Sequence, residues 1–73
     1  PYYLQARYFL ATVEVKRGDL ASALTGFDAV LQAPKKTDAD RDIEDLARLA
    51  IGRILYDRGQ FDKAREAYAA IRT

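Results

Sequence analysis

The chain predicts an all-α fold, two antiparallel helix–turn–helix hairpins stacked as a short α-solenoid. Two observations carry this expectation. The first is a repeated pattern: Gly18 is followed by Leu20, Ala23, Phe27 and Val30, and Gly59 by Phe61, Ala64, Tyr68 and Ile71. In each run a large apolar residue comes first, then an alanine, an aromatic and a β-branched residue. These four are three, four and three residues apart, which keeps them on one stripe of an α-helix. The second observation is that no segment alternates with period two, so no strands are expected. A unit that covers its apolar stripe by stacking on its neighbour points to a binding scaffold rather than a catalyst.

The first helix is expected from about Tyr2 to Arg17, with Leu4, Tyr8 or Phe9, Ala11 or Thr12, and Val15 at helical spacing. Gly18 suits the left-handed position that ends a helix, and Asp19 can cap the next one. The second helix carries Leu20, Ala23, Leu24, Phe27, Val30 and Leu31, and fades at Pro34, since proline disfavours helix in the residue before it. After the connector, Thr37 or Asp38 is the N-cap of a third helix reaching about Arg58. Its apolar side is Ile43, Leu46, Ala47, Ala50, Ile51, Ile54 and Leu55. Glu44–Arg48 is a favourable i,i+4 pair and Arg41–Asp45 a weaker reversed one. Gly59 closes this helix, and a fourth is expected from about Gln60 to Arg72. The whole, residues 1–73, reads as one domain, with repeats at about 2–34 and 40–73 and a connector at about 34–39.

With 73 residues there is room for one small domain at most. Five cations against three anions in residues 1–37, and seven against eight in 38–73, leave neither half strongly charged. A nucleic-acid module usually has a one-sided basic excess, so none is expected. No apolar run approaches a membrane span, and no direct membrane insertion is expected. The absence of methionine, with Pro1-Tyr2-Tyr3 opening inside helical sequence, marks the chain as an expected piece of a longer or processed protein.

Candidates for chemistry are few. Without histidine or cysteine there is no ready base, nucleophile or soft metal ligand, and the only serine, Ser22, sits in a first helical turn without a base in reach. Asp38, Asp40 and Asp42 copy the opening of a calcium loop. However, its sixth position is Ile43 where glycine is needed, and its twelfth is Leu49 where glutamate is needed. Acidic residues in a first turn are the ordinary helical pattern. The arginines at 48, 53 and 58 step by five and spread around the helix, so they form no phosphate-binding stripe. No cofactor, metal or catalytic residue is expected, and the chain is read as non-enzymatic.

These residues resemble the tetratricopeptide repeat, a 34-residue helix–turn–helix unit. The second copy carries the resemblance in Ile51-Gly52, Leu55, Gly59, Phe61, Ala64 and Tyr68. The first carries it in Leu10-Ala11, Gly18, Leu20, Ala23, Phe27 and Val30, with Pro34 near the repeat's terminal proline. In this family Ala11, Gly52, Ala23 and Ala64 are small where helices pass closely, and Phe27, Phe61 and Tyr68 fill the wider gaps. The chain departs from the pattern at Arg7 and Arg48, where tryptophan is common, and at Glu14, where tyrosine is. Its turn glycines are 41 residues apart, so the surplus lengthens the connector or adds to the third helix. Such stretched spacing resembles bacterial cell-envelope repeat proteins and leans the source toward envelope or cytoplasm.

The resemblance implies a protein or peptide partner, or a role in assembling a complex, on the face formed by the first helix of each hairpin. Carried over by position, that face is Gln5, Tyr8, Thr12 and Lys16 in the first copy, and Leu49, Arg53, Tyr56 and Asp57 in the second. The family's clamp for a peptide carboxylate needs lysine and asparagines; Tyr8 and Thr12 occupy two of those positions, so no such clamp is expected. The alternative is purely architectural: spacer repeats of a longer solenoid or a self-association module. No helix follows Ile71, so the last stripe is expected to stay partly uncovered, open to further repeats, a partner or another copy.

Overall fold

The computed structural model describes residues 2–72. Among these residues the secondary structure is four helices and no strand: α1 Tyr3–Lys16, α2 Leu20–Gln32, α3 Asp38–Asp57 and α4 Phe61–Ala69.

The two hairpin turns are built alike. Gly18 and Gly59 take φ of +79° and +78°, the left-handed conformation that costs other residues a Cβ clash. In the first turn the Asp19 amide donates to the Glu14 carbonyl at 2.9 Å and Gly18 to Val15 at 3.0 Å. The Gln60 and Gly59 amides repeat both bonds to Leu55 and Tyr56. This pair of bonds satisfies carbonyls that the helix end leaves free. Only the first turn then caps the next helix, the Ser22 amide donating to Asp19 Oδ1 at 3.2 Å; Gln60 makes no side-chain cap.

Between the hairpins, Ala33 is extended (φ −73°, ψ 149°), as the residue before a proline should be. Thr37 is the N-cap of α3. Its hydroxyl accepts from the Asp40 amide at 3.1 Å, and Asp40 Oδ2 accepts in return from the Thr37 and Lys36 amides. Lys35 folds back, donating to the Leu31 carbonyl at 2.8 Å and to that of Ala33, and its ammonium pairs with Glu44 at 3.3 Å. Glu44 also holds Arg48 at 3.2 Å, the expected i,i+4 pair. α3 starts directly after Thr37 and runs for 20 residues.

The core runs through Leu4, Ala11, Ala23, Phe27, Val30, Ala47 and Ile54, with Tyr8, Val15, Ile43, Ala50 and Ile51 packed around them. Tyr8 and Ala11 therefore face inward, whereas Phe9 is exposed. α1 packs on α2, α3 on both, and α4 on α3 alone. A closed four-helix bundle would bring α4 back against α1. Here the helices form an open row.

Three expectations are corrected. α4 ends at Ala69, so Ile71 and Arg72 lie beyond it. The physical reason is a tertiary pairing: Arg72 reaches back to Asp45 and Asp42 of α3 at 2.8 Å each, and this draws the chain off the helical path. The Arg41–Asp45 pair does not form. Arg41 faces Asp38 at 3.7 Å, because Asp45 is held by Arg72. Phe61 fills no interhelical gap; it is 55% exposed, and α4 packs on α3 alone among the described helices.

Candidate protein-binding surface

Small residues set how closely each hairpin packs. A Cβ at Gly52 would lie 2.5 Å from the Tyr68 ring, so this glycine lets α4 lie against α3. In the first hairpin the corresponding crossing is Ala11 against Gly26, where an added Cβ would come within 3.0 Å of Ala11 Cβ. Gly26 was not legible as a contact from sequence, since a lone mid-helix glycine carries no positional signal of its own.

The eight carried-over positions fall into two sets. In α1, Gln5, Tyr8 and Thr12 are half-buried and Lys16 is exposed. Tyr8 is already engaged with the Phe27 ring, centroids 5.6 Å apart, and the Thr12 hydroxyl donates to the Tyr8 carbonyl at 3.0 Å. In α3, Leu49, Arg53, Tyr56 and Asp57 are all exposed. Leu49, Arg53 and Tyr56 stand at i, i+4 and i+7, a single stripe along the helix.

Two shallow hollows collect part of this stripe. One, of about 480 Å³, is lined by Tyr56, Phe61, Ala64, Arg65 and Tyr68. Tyr56 meets Phe61 edge-on in it, ring centroids 5.0 Å apart. The other, of about 380 Å³, is lined by Asp42, Asp45, Leu46, Leu49 and Ile71. Neither hollow includes Gln5, Tyr8, Thr12 or Lys16, and Arg53 and Asp57 line neither. The structure thus joins Tyr56 and Leu49 to residues of α4 and its C-terminal tail, rather than to the α1 set. Phe61 and Tyr68, which sequence alone assigns to packing, are surface aromatics here.

Arg72 borders the second hollow through its two carboxylate partners. The hydrogen bond from its guanidinium holds the Asp45 carboxyl below the usual aspartate range, and the pairing in turn raises Arg72. Asp38, Asp40 and Asp42 serve three separate purposes: a pair with Arg41, the α3 cap, and a pair with Arg72. Among the described residues no helix is long and apolar enough to cross a membrane.

Comparison with known families matches residues 1–72 to the model described as "Tetratricopeptide repeat-like domain". Comparison with curated proteins and with solved structures gives no match.

Proposed function

Because the chain belongs to the tetratricopeptide repeat-like family, a family of helical-repeat modules that is generally non-enzymatic, we propose that it is a scaffold holding a protein or peptide partner. On this reading it binds, or helps assemble a multiprotein complex, through the first helix of each hairpin, with repeats at about 2–34 and 40–73. The observation that carries the proposal is the exposed stripe Leu49–Arg53–Tyr56 on α3. It combines an apolar, a cationic and an amphipathic aromatic side chain, the types in which binding energy concentrates. Lys16 and Asp57 sit at the turn ends of α1 and α3 and give the face a charged rim. Gln5, Tyr8 and Thr12 contribute shape rather than reach, since Tyr8 is held by Phe27.

The test uses a photoreactive residue at position 53 of the protein, with the exposed Asp28 on α2 as control position. Crosslinks are expected from 53 and not from 28. Affinity of the partner so identified should fall about tenfold or more in Arg53→Ala or Tyr56→Ala, with helicity unchanged. Unchanged affinity in both variants sinks the assignment of this face.

The architectural reading has its own support in the exposed Tyr56–Phe61–Tyr68 surface. An aromatic surface at the end of an open row suits a stacking contact.

A further inference from the structure

The joint between the two hairpins is almost entirely apolar. α3 is seated on the first hairpin through Ile43, Ala47, Ala50, Ile51 and Ile54, packed against the core around Ala23, Phe27 and Val30. Among the described residues a single side chain makes polar contacts to helices of both hairpins, and it is Lys35. Its ammonium donates to the Leu31 carbonyl of α2 at 2.8 Å and to the Ala33 carbonyl, and it pairs with Glu44 of α3 at 3.3 Å. Its side chain is 11% exposed, which makes it the most covered cation among the described ion pairs.

Each arm of this contact has a physical cause. α2 ends at an extended Ala33 with no glycine turn, so its last carbonyls need another donor. A lysine ammonium supplies one, and it also suits the negative end of the helix dipole. On the other side the connector is already fastened to α3, because Asp40 accepts from the Lys36 and Thr37 amides. Beyond the chain itself, Lys35 is what fastens it to α2. Two of the five seated residues are alanines, whose short side chains interlock little across the joint. Apolar burial is also non-directional, whereas a hydrogen bond weakens steeply when bent. The directional constraint on the joint therefore lies in Lys35.

We propose that Lys35 is a latch that sets the angle at which the second hairpin stacks on the first. It is a positioning residue: it touches no partner and acts through the placement of α3 relative to α1. With the ammonium removed, the Leu31 and Ala33 carbonyls turn to water and Glu44 keeps only Arg48. α3 is then held on the first hairpin by the apolar joint alone and can pivot on it. The latch is read without any partner, so its failure is distinct from failure of the partner-binding reading.

Double electron–electron resonance reads the angle as a distance between the hairpins. Spin labels go on Ala21→Cys of α2 and Lys63→Cys of α4, both exposed, and the chain has no cysteine of its own to take a third. With Lys35 in place a single narrow distance distribution is expected. Lys35→Met keeps an unbranched stem and removes the ammonium; it should widen the distribution or displace its maximum, with helicity unchanged. Glu44→Gln leaves the α2 carbonyl bonds and weakens the α3 arm, so it should give a smaller change of the same kind. A contact that only stabilises would lower the thermal midpoint of Lys35→Met and leave the distance where it was. That result overturns the proposal, as does a broad distribution with Lys35 present. If Lys35→Met loses helicity, Glu44→Gln decides alone, and an unchanged distribution in it overturns the latch.

Discussion

At Gly52 the missing side chain is what lets an aromatic ring lie close against α3. An added Cβ would stand 2.5 to 2.9 Å from three atoms of the Tyr68 ring. Tyr68 is partly exposed, so the ring has room to swing outward, at the loss of its contact with α3. Gly52→Ala is therefore expected to destabilise through overpacking of about 1–3 kcal/mol, less the roughly 1 kcal/mol by which alanine favours helix over glycine. With Tyr68→Ala in place the three nearest obstacles are gone and the helix preference is expected to dominate. The same Gly52→Ala change should then stabilise. Urea denaturation of the four proteins in this cycle checks the reversal, and equal effects in both backgrounds would show that the ring is not the obstacle. The glycine was legible in the sequence as a position of close approach. That its neighbour is Tyr68 was not, since contact across a hairpin depends on how the two helices rotate against each other.

Among the elements, α4 owes its end to another helix. Its nine residues stop at Ala69, and the chain beyond is tied to α3 by Arg72 on Asp42 and Asp45. Helical periodicity continues past this point in the sequence, which is why Ile71 reads as part of the stripe. The pairing across 27 and 30 residues has no local signature. Asp45 has its folded-state pKa lowered, first by the Arg72 hydrogen bond, and the caps lower Asp19 and Asp40 likewise. A lowered folded pKa means stability that is complete above the ordinary aspartate value of 3.8 and lost as pH falls through the lower folded value. Thermal midpoints should therefore be flat from neutral pH down to about 4 and fall below it. Asp45→Asn should lower the midpoint at neutral pH and make the acid fall shallower. An acid slope identical to wild type would show that the Arg72 tie contributes nothing to stability.

For the molecule as a whole, repeat-equivalent residues have unequal worth because their neighbours differ. Phe27 and Tyr68 share a position, yet Phe27 is fully covered by α1 and α3 while Tyr68 has only α3 beside it. Phe27→Ala should cost about 3–5 kcal/mol, comparable to the entire stability of a domain this small, and abolish cooperative thermal unfolding. Tyr68→Ala should cost about 1 kcal/mol, in keeping with the smaller area it covers. Circular dichroism melts distinguish the two, and equal losses would mean that α4 is as well packed as α2. The inequality also explains where function is to be sought. The α2 stripe of the first hairpin, Ala23, Phe27 and Val30, is buried, whereas its counterpart in the second hairpin keeps Phe61 and Tyr68 at the surface beside Tyr56.

The repeated glycine-led stripes and the residues flanking them determine the four helices, both left-handed turns, the Asp19 cap, a cap of α3 at Thr37 or Asp38, and the family, because these depend on residues within a few positions of one another. Helix-period spacing, a glycine at the stop and a hydroxyl or carboxylate at the start act locally, and the fold honours them. Tertiary structure alone decided the remainder: that Tyr8 rather than Phe9 faces inward, that α4 stops short under the pull of Arg72, and that the row stays open. It also divided the two copies of one stripe into a buried core and an exposed aromatic face. Matching local patterns cannot differ by themselves; they differ here because burial depends on what lies alongside, and α2 lies between α1 and α3 while α4 packs on α3 alone.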